Sequence, residues 1–162
     1  MVLGGQGVGT QSDLNWLHGV NMYAEKLPVI AATPAWYDVD SRLTSLYLNG
    51  SDVSRDFASD VADESDVVNV LAYRDEVNGK NGIIDLMDSE MSYGPVIFGV
   101  ETRDLVIEFD RLTFWEEGLQ SMQSALVKTW RKRRENEDLS AFSVHHYGSM
   151  KKVGRFGPKP ID

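Results

Sequence analysis

The stretch from Pro95 to Glu135 constrains the fold more than any other part of the chain. Two β-rich runs, "PVIFGVE" and "LVIEFD", are separated by Thr102, Arg103 and Asp104. β-Branched and aromatic residues on both sides of a short polar break read as a hairpin with a three-residue loop. Alternation then turns Leu105, Ile107 and Phe109 toward a core and Glu108 and Asp110 toward water. Directly afterwards, Thr113 and Glu116 have the Thr-x-x-Glu spacing of a capping box, in which two side chains satisfy main-chain N–H groups at a helix start. Trp115, Leu119, Met122, Leu126 and Trp130 recur at steps of three and four, which gives a helix one apolar face. Carried to about Glu135, that helix has roughly 22 residues and a length of about 33 Å. A hairpin near 96–109 that feeds a long C-terminal helix near 114–135 predicts an α+β fold, an antiparallel sheet packed against that helix, with extended N- and C-terminal arms.

The remaining segments are shorter and weaker. "MVLGGQGVGTQ", residues 1–11, is glycine-rich and uncharged, and reads as an arm. Ser12 caps a helical pattern that Pro28 stops. Pro28 to Val39 holds two prolines in an apolar, extended course, which suits an edge strand. A strand is expected over Arg42–Leu48, closed by Asn49-Gly50, and a short helix with an anionic outer face over Asp52–Asp66, where Val53, Phe57 and Val61 are four apart. "VVNVLAY", Val67 to Tyr73, is a buried strand or a helix segment. Ser140 to Asp162 has no sustained period and reads as a second arm. The domain plan is therefore an arm at 1–11, an acidic α+β body at 12–138 and a basic arm at 139–162.

Charge sharpens that plan. Met1 to Val127 carries 7 Lys and Arg against 21 Asp and Glu, a balance of −14, and Lys128 to Asp162 carries 9 against 4, a balance of +5. An acidic body repels nucleic acid, so only the basic end offers it a contact. The cluster "RKRR", Arg131 to Arg134, suits the negative end of a helix dipole. Farther on, Lys151, Lys152 and Arg155 interleave with Phe142, Tyr147 and Phe156. Cations among aromatics suit single-stranded nucleic acid. They equally suit an arm laid across the acidic face of a neighbouring copy, with aromatic anchors.

Catalytic and metal motifs are weak by comparison. Cysteine is absent, which removes disulfides and thiolate sites and fits a reducing compartment. "GGQGVGTQ" lacks the lysine of a phosphate loop. "EVNGKNGIIDLMD" resembles an EF-hand calcium loop in its Asn-Gly pairs, but aligning Gly82 puts Val77 and Gly79 where oxygen ligands belong, so it reads as a glycine-rich turn. Adjacent His145 and His146 point to different sides of an extended chain, and a zinc site would need His18 and distant carboxylates. No serine sits in a nucleophile elbow. No catalytic residue, cofactor or metal is predicted.

The resulting expectation is a structural subunit of a large symmetric assembly rather than an enzyme, for example a virion component such as a phage neck or shell protein. Its partners are neighbouring copies of itself and other assembly proteins, bound through Arg131, Lys132, Arg133, Arg134, Phe142, Tyr147, Lys151, Lys152, Arg155 and Phe156. A nucleic-acid-binding accessory protein and a small enzyme are the alternatives. The start lacks a basic and apolar leader and no run reaches the roughly 20 residues of a membrane span, which predicts a cytoplasmic protein, or a particle built in the cytoplasm, with no membrane partner.

Overall fold

A computed structural model describes residues 11–23, 27–35, 57–80, 82–105 and 112–153. Helices and strands alternate along them: α1 (Gln11–Tyr23), β1 (Ile30–Pro34), α2 (Phe57–Asp63), β2 (Val67–Leu71), α3 (Ile83–Glu90), β3 (Val96–Glu101), α4 (Gly118–Arg133), β4 (Leu139–His145) and α5 (Tyr147–Val153). The four strands form one sheet in the order β1-β2-β3-β4. Every neighbouring pair is parallel, and each link between neighbours contains a helix, as parallel strands require.

This corrects the expected antiparallel α+β fold with a hairpin near 96–109. β3 pairs along one edge with β2 and along the other with β4. Both of its hydrogen-bonding edges are taken, so no antiparallel partner fits beside it. Residues 106–110 of the second β-rich run lie outside the described residues, as do the predicted strand at 42–48 and most of the predicted N-terminal arm. The long helix exists as α4, but it is the crossover between β3 and β4 and does not follow the sheet. The segment expected to begin an extended C-terminal arm instead supplies a fourth strand and a helix.

The sheet's two faces have different occupants. Val68, Val70, Val96, Phe98 and Val100 are buried in one cluster with Ala58 and Val61 of α2, Ile83 and Met87 of α3, and Met122 and Ala125 of α4. Three successive crossover helices thus cover the same face, the result when right-handed links join strands in sequential order. Burying one side chain the size of Phe98 contributes about 1.5–3 kcal/mol. Phe142 and Val144 of β4 lie half-buried against this cluster. The intervening residues Asn69, Leu71, Ile97, Ala141 and Ser143 point to the second face, since strand side chains alternate.

Local chemistry sets the element ends. α4 turns Met122, Ala125 and Thr129 inward at helical spacing, and the buried Thr129 hydroxyl donates to the Ala125 carbonyl at 2.9 Å. The expected Thr113/Glu116 capping box is not made, because α4 starts four residues later than the expected 114, at Gly118, whose φ of 85° suits glycine. Thr113 instead donates through Oγ1 to the Arg103 carbonyl at 2.7 Å and accepts from the Trp115 N–H at 3.2 Å. Phe114 N–H bonds the Glu101 carbonyl at 2.9 Å. The entry to α4 is therefore stapled to the carboxyl end of β3.

Candidate functional site

In open parallel sheets, ligands gather where the strands end, because the loops there converge from several elements. At the carboxyl edge of this sheet, three adjacent strands deliver Tyr73, Glu101 and His145. Tyr73 lies two residues beyond β2, while Glu101 and His145 end β3 and β4 and are partners in the register. Glu101 and His145 share the parity of the second face, away from the helices.

Glu101 is the centre of the group. It is 1% exposed, a position where a carboxylate needs full hydrogen bonding. One oxygen, Oε1, accepts the main-chain N–H groups of Thr102 and Arg103, each at 2.7 Å. The other, Oε2, lies 2.6 Å from Nδ1 of His145. With Glu101 as the carboxylate, Nδ1 is the donor of this contact and Nε2 is the ring nitrogen turned to other partners, the assignment that the partner of one ring nitrogen imposes on the other. The His145 side chain is 45% exposed, so a fixed imidazole stands half in solvent on a buried carboxylate.

Tyr73 closes the group from β2. Its ring stacks on His145, with centroids 6.1 Å apart and planes at 28°. Its backbone has φ 42°, a left-handed conformation that costs a bulky residue and tends to occur at ligand sites. Arg74 supports it by donating Nη1 to the Tyr73 carbonyl at 2.7 Å. Burial raises the Tyr73 phenol above its ordinary value, the nearby Glu101 charge pushes the same way, and the Arg103 cation opposes both. The phenol is neutral and able to donate at physiological pH.

Behind these three lies a polar knot that fixes them. Thr102, fully buried, donates its N–H to the His145 carbonyl at 2.6 Å. Its hydroxyl is within 3.0 Å of the His145 carbonyl, 3.1 Å of the His146 carbonyl and 3.2 Å of Ser149 Oγ. Ser149 in turn donates to the His146 carbonyl at 2.9 Å. The ends of β3 and β4 and the start of α5 are thereby held in one arrangement. Ser149 is buried and hydrogen-bonded to main chain, which gives it a bracing role and not that of a nucleophile. Below the group, Ser143 Oγ donates to Asn69 Oδ1 at 2.9 Å, passing over Gly99. A side chain at position 99 would meet Ser143 Oγ and the Val70 carbonyl, both at 3.1 Å.

The histidines expected to face opposite ways come together here, with ring centroids 5.9 Å apart. β4 ends at His145, so strand alternation no longer governs His146. Among the described residues, no group of three His, Asp or Glu is placed to hold a metal ion.

The predicted partner-binding residues are dispersed. Arg131, Lys132 and Arg133 occupy the last turn of α4 and Arg134 its C-cap. Two of them are engaged within the chain: Lys132 Nζ donates to Asn78 Oδ1 at 2.8 Å, and Arg133 Nε to Asp88 Oδ1 at 2.6 Å. The bond to Asp88 raises the Arg133 guanidinium further above its ordinary value. Phe142 lies on β4 against the core. Tyr147, Lys151 and Lys152 are on α5, where the Lys151 ammonium sits 4.4 Å from the Tyr147 ring centre. Arg155 and Phe156 lie outside the described residues. Tyr73, Glu101 and His145 were missed as a group because they come from three parallel strands, of which the sequence reading put β3 in a hairpin and β4 in a C-terminal arm. No helix among the described residues is long and apolar enough to cross a membrane. Compared with known proteins, the chain matches no family model, no curated protein and no solved structure.

Proposed function

We propose that this protein is an enzyme that moves protons at the carboxyl edge of its sheet, with His145 as general base and acid. The observation that carries this reading is the 2.6 Å contact between His145 Nδ1 and the buried Glu101 carboxylate. A carboxylate behind an imidazole fixes its tautomer and stabilises the imidazolium formed when Nε2 takes a proton, the logic by which catalytic histidines are held. Glu101 is a positioning residue, since its oxygens are occupied by two main-chain donors and the histidine. Tyr73 supplies a neutral hydroxyl beside the ring, able to donate to an oxygen of a bound substrate, and Arg103 adds positive charge nearby.

Proton transfer of this kind contributes about 10²–10⁴-fold to rate. A panel of chromogenic esters, glycosides, amides and phosphoesters, run with the wild type, His145→Gln and Arg133→Ala, tests the proposal. Turnover that His145→Gln lowers by about that factor and Arg133→Ala leaves unchanged supports it. Turnover indifferent to His145, or absent across the panel, counts against it.

The subunit of a symmetric assembly expected from the charge distribution is a second reading. It is favoured by apolar side chains exposed on two helices, Trp16 and Met22 on α1 and Val127 and Trp130 on α4.

A further inference from the structure

Three aromatic rings meet at the carboxyl edge of the sheet. His145 neighbours both of the others: Tyr73 is stacked on it at 6.1 Å, and His146 meets it edge-on at 5.9 Å, with planes at 60°. Acid–base chemistry at His145 gives His146 no part. Its exposed ring is nevertheless built in. Nδ1 lies 3.4 Å from Oγ of the buried Ser149, which is within 3.2 Å of Thr102 Oγ1. The ring also lies close against Gly148, where an added Cβ would come within 2.9 Å of its Cε1. With Nδ1 turned to the serine, Nε2 is the nitrogen turned to other partners, as in His145.

A ligand arriving here meets donors. Glu101 is 1% exposed, and its two oxygens are taken by Thr102, Arg103 and His145. Asp75, Glu76 and Asp104, further acids of these strand ends, each interact within the chain. Arg103 is exposed. Burial and then Glu101 raise the Tyr73 phenol and the Arg103 cation opposes them, which puts that cation within electrostatic reach of the ring. Lys151 adds a further cation over the ring of Tyr147, the residue after His146. Two imidazoles, a phenol and a guanidinium outnumber the two oxygens of a carboxylate and suit the three of a phosphoryl group, with its greater charge. Arginine in particular matches phosphate oxygens in pairs. The chain's net charge of −9 repels a long polyanion, so a small ester fits better than a nucleic acid.

We infer, on the acid–base reading of this site, that its substrate is a small phosphate ester, bound by Arg103 and the Tyr73 hydroxyl beside the two imidazoles, with His146 as the acid opposite His145. The step balances with water alone. A water oxygen bonds to phosphorus as His145 Nε2 takes its proton. The bond from phosphorus to the ester oxygen breaks, and His146 Nε2 gives its proton to that oxygen, which leaves as an alcohol. Exchange with solvent restores both rings.

Binding and turnover are measured separately. Inorganic phosphate, titrated into the full chain and followed in the ¹⁵N–¹H spectrum of the histidine rings, is expected to shift His145 and His146 together and saturably. Arg103→Ala is expected to weaken that binding by about tenfold or more, and acetate to bind the wild type more weakly than phosphate by a similar factor. This variant removes an exposed side chain and keeps the main-chain N–H on Glu101, so its circular dichroism is expected to be unchanged. No shift with millimolar phosphate, or equal binding of acetate, overturns the inference. In turnover, His146→Gln is expected to slow phenyl phosphate, whose leaving oxygen needs a proton, by about 10²–10⁴-fold. It is expected to slow p-nitrophenyl phosphate less, because that phenolate leaves unprotonated; equal effects on the two overturn the role of His146. Turnover of a carboxylic ester or glycoside without phosphate binding overturns the substrate class and leaves the acid–base reading standing. Phosphate binding without turnover of any ester supports the ligand class and counts against the acid–base reading. A single-stranded oligonucleotide that displaces phosphate at lower concentration than phenyl phosphate does overturns the choice of a small ester.

Discussion

The same strands present two chemistries on their two faces. Toward the helices, Val68, Val70, Phe98 and Val100 are buried among aliphatic side chains. Toward the second face, the same strands place Asn69, Gly99 and Ser143 and then end in Tyr73, Glu101 and His145. The helix face is largely apolar, apart from the buried Thr33, Asp60, Glu90 and Thr129, and accounts for stability. The second face has a hydrogen-bonded carboxylate, a strained tyrosine backbone and an anchored histidine, which packing alone does not require. Period-two alternation lets one backbone serve both purposes, because neighbouring residues never compete for the same side.

Substitutions on the two faces are expected to separate stability from chemistry. The largest loss of stability is expected from Phe98→Ala on the helix face, about 3–5 kcal/mol from lost burial and the cavity left behind, read by urea unfolding. At the boundary, Glu101→Ala removes the acceptor of the Arg103 N–H and the anchor of His145, while the Thr102 N–H keeps its bond to the His145 carbonyl, and costs about 1–3 kcal/mol. Glu101→Gln keeps an acceptor and is expected to cost less, while releasing the His145 tautomer. Gly99→Ala forces a contact with a fixed main-chain oxygen and a hydroxyl, a strain of about 1 kcal/mol. Arg133→Ala, which removes an ion pair of the exposed surface, is expected to cost less than about 1 kcal/mol.

Titration sharpens the comparison further. The Tyr73 phenol is held above its ordinary value of 10.0 in the folded protein. A raised folded value means that the proton is held more tightly than in the unfolded chain. The associated stability is complete below about pH 10 and is lost as pH rises through the higher folded value. Ultraviolet titration of Tyr73 is expected to shift down in Glu101→Gln and up in Arg103→Ala, since these charges act in opposite senses. Identical curves in all three proteins would separate Tyr73 from the Glu101 group.

Legibility in the sequence followed the same division. Apolar periodicity revealed what faces the helices: "VVNVL" became β2, "PVIFGVE" became β3, and the steps from Leu119 to Leu126 became α4. Pairing was another matter. Two β-rich runs three residues apart look like a hairpin locally, and only the distant strands β2 and β4 decide otherwise by occupying both edges of β3. β4 itself was hidden because its alternating Phe142 and Val144 are set among serines and histidines, the polar residues of the second face. α3 was hidden by the glycine-rich turn before it, although Ile83 and Met87 have helical spacing. The site was illegible for a related reason: Tyr73, Glu101 and His145 carry no local motif and meet only through a parallel register.

The most direct test of an acid–base site on the second face is the ¹⁵N spectrum of the His145 imidazole in wild type and in Glu101→Gln. The account predicts that Nδ1 carries the proton held against Glu101 in the wild type, and that this fixed assignment is lost in the variant. A wild-type ring protonated at Nε2 alone, or a spectrum unchanged by Glu101→Gln, would contradict it.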